Sequence, residues 1–196
     1  ADEVQTARVV VPKPGSYRSS VKSIGNPADI EKLADILVKA ERPAVLLGQQ
    51  VWSSRGHEDA INFVRALDIP AYMNGASRGM LPQSDPHHFD RTRSDAFKNA
   101  DVILIVGTPF EFRMGYGKRI SKEATLVQVD QSYATVGKNR DISLGLAGDP
   151  GAILAAVSQA ATGRIDDGAR QQRQKWMVEL REIEATKLDK LMPMFT

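Results

Sequence analysis

The chain has 196 residues, 26 of them basic and 24 acidic, with a formal net charge of +2 and no cysteine. This balance gives no electrostatic case for a nucleic-acid partner, and the lack of cysteine excludes disulfides, thiolate catalysis and cysteine-ligated metals. No apolar segment approaches the roughly 20 residues that a membrane-spanning helix needs. The polar N-terminus also lacks the apolar core of a signal peptide. We therefore expect a cytoplasmic protein without nucleic-acid or membrane partners.

The first 25 residues carry prolines and glycines among polar residues, and we interpret 1–25 as an extended entry arm or linker. Asn26 followed by proline is typical of a helix start, and an apolar stripe at helical spacing runs from Ile30 to Val38. Apolar runs then predict strands at 44–48, 69–73, 102–106, 125–129 and 143–147. Helical patterns separate these runs. The alternation predicts an α/β fold with about five strands in a parallel sheet and right-handed crossovers.

The character of the chain changes at Gly163. Residues 168–192 predict a long helix laced with charges of both signs, with Trp176 and Leu180 on one apolar face. This helix either packs back on the domain or connects it to a further segment. The last three residues, Met194-Phe195-Thr196, include no glycine or other residue that typically ends a helix, so we expect a truncated protein. We predict a nucleotide-binding-like central domain over 26–162 and a connector helix over 163–196.

A glycine-rich loop follows the most apolar of the predicted strands. Val102–Val106 has the pattern of a strand buried on both faces, and the loop from Gly107 to Gly117 carries Arg113. In open parallel sheets, ligands bind in the crevice outside the carboxyl ends of the strands. The sequence thus delivers a glycine-rich, arginine-bearing loop to the place where a ligand would bind.

The candidate cofactor-binding residues all follow predicted strands and are Gly48, Gly75, Gly107, Arg113, Asp130 and Asp149. Glycines let a backbone approach a ligand closely. Asp130 stands where doubly wound folds hold a ribose hydroxyl, and the Arg113 guanidinium suits a pyrophosphate. The alternative is that each of these residues only favours a turn and has no role in binding. Neither the dinucleotide fingerprint Gly-x-Gly-x-x-Gly nor a phosphate loop ending in Gly-Lys-Ser/Thr is present.

No residue is predicted to be catalytic or to ligate a metal. His87 and His88 are adjacent, but no third ligand stands at a metal-binding spacing. We therefore expect both to be ordinary polar residues of a loop. No serine lies in a nucleophile-elbow context, and no nucleophile–base pair is recognisable.

Several motifs, taken in order, resemble the central domain of thiamine-diphosphate-dependent enzymes, most closely acetolactate synthase large subunits and their relatives. They are Gly48, Met73-Asn-Gly75, Arg78-Gly-Met-Leu-Pro82, Asp101–Gly107, Phe110-Glu-Phe-Arg113, and Val127-Gln-Val-Asp130 through Gly137-Lys-Asn139. The resemblance spans about 25–160. It implies a Rossmann-like three-layer sandwich with a six-stranded parallel sheet. It also implies that this domain sits between two others that hold thiamine diphosphate and magnesium, in a homodimeric or homotetrameric parent enzyme.

The same resemblance implies what the domain binds. Acetolactate synthases hold FAD here, oxalyl-CoA decarboxylase-like relatives hold ADP or part of coenzyme A, and other relatives hold nothing. Arg113 matches the arginine that meets the FAD phosphates or ribityl chain. Gly48 and Gly75 match backbone contacts, and Asp130 and Asp149 match residues around the adenosine end.

Two segments depart from the acetolactate synthase pattern. Gly48 is followed by Gln49 and Gln50 where a triple glycine is usual, and 88–92 lacks the glycine of a Gly-Met-His-Gly segment. FAD and ADP both stay open as ligands. The family's metal motif is also missing, because Pro150 follows Asp149 and no suitable asparagine comes after it. The family's catalytic glutamate belongs to a domain that precedes this one, so we expect no thiamine chemistry from this chain alone.

Three functions remain as hypotheses. The chain is the central domain of an acetolactate synthase-like enzyme acting on 2-keto acids, and a scaffold for FAD or ADP. Alternatively, it is the same domain of a 2-hydroxyacyl-CoA or aldehyde lyase or of a decarboxylase. The third hypothesis is a stand-alone interaction module that uses exposed Trp176 and Phe195 as its partner surface.

Overall fold

A computed structural model describes residues 3, 6, 8, 10–13, 15, 16, 21–191 and 193. The strands are β1 (Pro43–Leu47), β2 (Ala71–Met73), β3 (Val102–Val106), β4 (Thr125–Asp130) and β5 (Leu144–Ala147). The helices are α1 (Pro27–Lys39), α2 (Gln49–Ser53), α3 (His57–Ala66), α4 (Arg93–Asn99), α5 (Pro150–Ala161) and α6 (Asp167–Leu191). Short 3-10 helices span Gly75–Ser77 and Phe112–Gly117. All five strands pair in parallel in the order β2-β1-β3-β4-β5, which confirms the predicted α/β class.

The sheet in the described residues has five strands, as the pattern predicts, rather than the six that the resemblance implies. One isolated bridge pairs Ala71 with His88 outside β2. It does not grow into a strand, because the amides of Asp90 and Arg91 donate to the Glu184 carboxylate, at 2.9 and 2.8 Å, instead of to the sheet. A side chain of α6 thus ends the pairing after one residue.

Side chains alternate between the two faces of the sheet, and each face is covered by helices. Val45 and Leu47 of β1 pack with α1, α3 and α5, whereas Ala44 and Leu46 face the side covered by α4 and α6. This is the period-two burial of a strand that is covered on both faces. The three-layer sandwich predicted from the resemblance is therefore confirmed.

Two helix starts follow the predicted local chemistry. The Asn26 side chain accepts a hydrogen bond from the Ala28 amide at 3.1 Å, and Pro27 is the first residue of α1. The α5 helix begins in the same way, with Pro150 after Asp149. An Asn or Asp cap before proline satisfies an otherwise unpaired helical N–H, while proline has none to satisfy.

The long helix predicted at 168–192 is α6, and it packs against the domain. Trp176 is 1% exposed and its indole Nε1 donates to the Pro43 carbonyl at 3.1 Å. The interaction-module hypothesis requires Trp176 to be exposed. That prediction is wrong, since the ring lies in the core beside Leu180. Phe195, the other residue of that surface, lies outside the described residues.

Of the predicted entry arm, the continuous described part is 21–25, which contains no helix or strand. It contacts the domain where the Ser23 carbonyl accepts a hydrogen bond from the Asp149 amide at 2.8 Å. None of the described helices is long and apolar enough to cross a bilayer.

Candidate functional site

The carboxyl ends of the five strands are joined in one row. Four backbone hydrogen bonds link neighbouring loops, from Asn74 N to Leu47 O (3.0 Å), Gly48 N to Val106 O (2.7 Å), Gly107 N to Val129 O (2.8 Å) and Gly148 N to Asp130 O (2.9 Å). With strands about 4.8 Å apart, the row spans roughly 19 Å. The order in which successive strands are added to the sheet reverses between β1 and β3, which is the topological switch point where doubly wound sheets bind ligands.

Gly48 and Gly107 meet at this switch point. A Cβ atom on Gly48 would lie 2.4 Å from the Gly107 carbonyl oxygen. Gly107 has a φ of +67°, and a Cβ there would lie 2.7 Å from the Gln50 Cβ. No side chain fits at either position without moving the backbone. In this structure the two glycines approach each other closely, and both are buried.

Gly75 belongs to the loop after β2, which is tied to the loop after β1. Gly75 has a φ of +56°, and a Cβ there would lie 3.2 Å from the Gln49 Cβ. Two residues later, the buried Ser77 hydroxyl donates to the Gly48 carbonyl at 2.6 Å. The two loops are therefore joined to each other beside the switch point.

Asp130 is fully buried and is held by Gln50, a residue that the sequence reasoning did not single out. The Gln50 Nε2 donates to Asp130 Oδ1 at 3.1 Å, and the Gln131 amide donates to Gln50 Oε1 at 3.0 Å. The Ser132 amide also donates to Oδ1, at 2.9 Å. Oδ2 is buried and has no hydrogen-bond partner in the described part of the chain. A buried carboxylate oxygen without a partner is costly, so this atom is open to a donor.

Asp149 is the N-cap of α5. Its Oδ1 accepts a hydrogen bond from the Ala152 amide at 2.9 Å and lies 3.8 Å from Lys22 Nζ. The helix start thus already uses one oxygen of this carboxylate.

Arg113 lies in the loop after β3 with its side chain 74% exposed. It pairs with Glu111 at 3.0 Å, and its guanidinium carbon lies 4.9 Å from the centre of the Phe112 ring. Beyond it the loop turns through Gly115 and Tyr116, whose φ angles are +56° and +53°. A non-glycine residue in this conformation is uncommon and clusters at functional loops.

A cavity of about 890 Å³ opens beside Arg113, next to the end of β2. Its apolar walls include Tyr72, Phe97 and Phe112. Its charged lining consists of the aspartate Asp90 and the five arginines Arg78, Arg91, Arg93, Arg113 and Arg119. Of these, only Arg113 was predicted from the sequence to contact a ligand, because the other four come from three further segments that the fold brings together. Ligand pockets typically enclose about 300–1,000 Å³, so this cavity is large enough for a cofactor.

The paired histidines are not simple polar loop residues. His87 is buried, with Nδ1 at 3.0 Å from an Asp85 oxygen and Nε2 at 3.3 Å from an Asp68 oxygen. Arg65 pairs with Asp85 at 2.7 Å, and Arg170 of α6 pairs with Asp68 at 3.1 Å. These ion pairs therefore tie α6 to α3. Over the described residues no group of metal-ligating side chains is present.

This network predicts a loss of stability in acid. Burial alone would raise the pKa of Asp85, but hydrogen bonds from the His87 amide and from Arg65 outweigh it and hold the pKa below the ordinary 3.8. The stabilisation is complete above that ordinary value and is lost as pH falls through the lower, folded-state pKa. We expect urea unfolding to show the original chain more stable than Asp85→Asn near about pH 7, with the gap closing towards about pH 2.5. A gap that stays constant over this range would contradict the assignment.

The comparisons with known proteins agree with this fold. Residues 30–157 match the family model for the thiamine pyrophosphate enzyme central domain. The acetolactate synthase large subunit IlvG of Mycobacterium tuberculosis is 33% identical over 160 residues, covering 82% of this chain and 28% of that protein. The 2-hydroxyacyl-CoA lyase 2 of Danio rerio is 30% identical over 139 residues, covering 68% of this chain and 22% of that protein.

Solved structures show the same fold at lower identity. A thiamin diphosphate-dependent enzyme from Mycobacterium smegmatis superposes with a TM-score of 0.62 at 18% identity, covering 79% of this chain and 31% of that one. Benzoylformate decarboxylase from Polynucleobacter necessarius gives a TM-score of 0.61 at 18% identity, covering 78% and 30%. The chain thus spans less than a third of the length of these relatives. It belongs to the thiamine pyrophosphate enzyme family, and residues 30–157 form the central domain.

Proposed function

We propose that this chain is the cofactor-holding central domain of a larger thiamine-diphosphate-dependent enzyme that acts on 2-keto acids, as acetolactate synthases do. In this role the domain binds an adenine-containing cofactor, FAD or ADP, across the carboxyl edge of the sheet. The observation that carries the proposal is the row of strand-end loops, with the exposed Arg113 and a large cavity at one end.

Each candidate residue has a role in this proposal. The backbone of Gly48, Gly75 and Gly107 lies beneath the cofactor, where the close packing around Gly48 and Gly107 leaves no room for a side chain at either position. Arg113 contacts the phosphates. The adenosine end lies towards Asp130 and Asp149, on the far side of the switch point from Arg113.

Asp130 reaches a ribose hydroxyl only through its unpartnered Oδ2. In the structure the Gln50 side chain covers this carboxylate. The Gln50 side chain therefore turns aside when the cofactor binds, which opens Oδ2 to the ribose hydroxyl. ADP would serve as a structural ligand, whereas FAD would bring a redox-active ring, although the parent reaction needs no net oxidation.

Thiamine diphosphate and magnesium do not fit this chain. Asp149 is the only acidic residue near the position of the family's metal motif, and its Oδ1 caps α5. No group of metal-ligating residues exists in the described part of the chain. We therefore propose that the thiamine chemistry belongs to other domains of the same polypeptide, in a cytoplasmic homodimer or homotetramer.

The direct test is calorimetric titration of the 196-residue chain with ADP and with FAD. Saturable binding of one of them supports the proposal and identifies the cofactor. If neither binds to this chain nor to a full-length enzyme that carries it, the cofactor role is wrong.

Arg113→Ala is expected to weaken the cofactor that binds by about 1.5–3 kcal/mol, because a charge-assisted hydrogen bond to phosphate is lost. Lys122→Ala is the matched control. It removes one exposed cation from the chain segment that follows this loop, outside the cavity. Equal affinities for Arg113→Ala and the original chain would show that Arg113 makes no phosphate contact.

A lyase parent is the second candidate, favoured by the similarity to 2-hydroxyacyl-CoA lyases over two thirds of the chain or more. Product analysis of the full-length enzyme with pyruvate separates the two. Acetolactate formation supports the first proposal, and its absence favours the lyase.

A further inference from the structure

The cavity beside β2 is strongly and asymmetrically charged. Five arginines and a single aspartate line it. The aspartate, Asp90, has its Oδ1 at 3.1 Å from His88 Nε2 and pairs with none of these arginines. The local field inside the cavity is therefore positive, and the low-dielectric walls of Tyr72 and Phe97 strengthen it.

Four of these five arginines have no counter-charge within 21–191; only Arg113 is paired, with Glu111. The guanidinium groups of Arg78, Arg91, Arg93 and Arg119 make no ion pair and donate no hydrogen bond to the described protein atoms. Arg78 and Arg119 are exposed at the mouth of the cavity, whereas Arg93 is half-buried. By contrast, the buried Arg173 donates to backbone carbonyls, and the half-buried Arg181 pairs with Glu184.

Arg93 is the centre of this group. It is half-buried, and burial followed by repulsion from Arg78 and Arg119 lowers the pKa of its guanidinium below the ordinary value. It is also the first residue of α4, where the helix dipole disfavours a cation. An anion between the three guanidinium groups would offset their mutual repulsion and the unfavourable helix dipole at Arg93.

We propose that this cavity binds the diphosphate group of a nucleotide-type ligand, with Arg78, Arg93 and Arg119 as its phosphate contacts. Planar guanidinium groups bind phosphate oxygens in bidentate pairs, and several converging cations match a ligand with several charges rather than one carboxylate. This inference rests on the proposed function for the kind of ligand, and it adds Arg93 and Arg119 and assigns a phosphate contact to Arg78 of the Arg78–Pro82 motif.

The test is calorimetric titration with inorganic diphosphate at low ionic strength, using the original chain, Arg93→Ala and Lys98→Ala. Lys98 is exposed on the same helix and outside the cavity, so its variant removes the same charge without touching the site. We expect Arg93→Ala to weaken diphosphate binding about tenfold or more. The affinity of Lys98→Ala should stay within about twofold, as screening of an exposed charge predicts.

Thermal unfolding provides the second measurement. The unfolding midpoint of the original chain should rise with added diphosphate, and that of Arg93→Ala should not. Without diphosphate, Arg93→Ala should unfold at the same or a higher temperature, because one like charge has been removed from the cluster.

Three results would overturn the proposal: no diphosphate binding, equal weakening in both variants, or citrate binding as tightly as diphosphate. The outcomes also separate this inference from the proposed function. Diphosphate binding that depends on Arg93, without any gain in affinity for ADP or FAD, keeps the anion site and refutes the cofactor. Tight ADP or FAD binding that is unaffected by Arg93→Ala supports the cofactor and refutes the anion site at Arg93.

Discussion

Arg173→Met is expected to lower the free energy of unfolding by about 3 kcal/mol or more. The Arg173 side chain is fully buried, with Nε at 3.0 Å from the Ala40 carbonyl and further hydrogen bonds to the carbonyls of Leu37 and Leu67. Ala40 and Leu67 are the C-caps of α1 and α3, whose carbonyls the helices leave unpaired, and the Leu37 carbonyl also accepts from the Ala40 amide. Methionine fills much of the volume but donates no hydrogen bond, so buried carbonyls would lose their partners.

Lys175→Met is the matched control for this change. Lys175 lies two residues away on α6 and is exposed, so its replacement should leave stability within about 0.5 kcal/mol. Denaturant unfolding of both variants measures the difference. Similar midpoints for Arg173→Met and Lys175→Met would mean that α6 contributes little to holding α1 and α3 in place.

Gly107→Ala is expected to cost about 2–4 kcal/mol, from a left-handed backbone and a steric clash together. The φ of +67° disfavours any residue with a Cβ, and that Cβ would lie 2.7 Å from the Gln50 Cβ. Because the Gln50 side chain holds Asp130, the displacement should reach the centre of the proposed site. Cofactor affinity should therefore fall together with stability.

Gly163→Ala separates the two contributions to this cost. Gly163 has a φ of +73°, but a Cβ there would have no atom within 4 Å. It should therefore lose only the backbone part, about 1–2 kcal/mol, and leave cofactor affinity unchanged. Equal losses in urea unfolding for the two glycine variants would show that the close approach at the switch point is not tightly packed.

Much of the fold follows from local signals in the sequence. The apolar runs that predict β1, β3 and β4 are buried at every position or nearly so, and Asn26 before proline starts α1 as expected. These features depend on residues close to one another along the chain. Arg173 shows the limit of such reasoning. In the sequence it is one charge among many on a charged helix, and only the carbonyl ends of two other helices explain its burial.

The site was partly predictable for the same reason. Glycines and acids after successive strands must meet at one edge of a parallel sheet, and backbone hydrogen bonds do join those loops. The arginine-lined cavity was not predictable, because Arg78, Arg93 and Arg119 come from three different segments. Gln50 was missed because a glutamine after a strand-end glycine carries no signal until its contact with Asp130 is seen.

Amide chemical-shift mapping of the 15N-labelled chain during titration with ADP tests the cofactor site most directly. Binding across the carboxyl edge predicts saturable shifts at Gly48, Gly75, Gly107 and Gln131, together with the loop from Phe112 to Gly117. The amides in the last turns of α1 and α3, which lead into β1 and β2 at the opposite edge of the sheet, should stay unchanged. Saturable shifts confined to other surfaces, or no shifts with either ADP or FAD, would contradict a nucleotide cofactor at this edge.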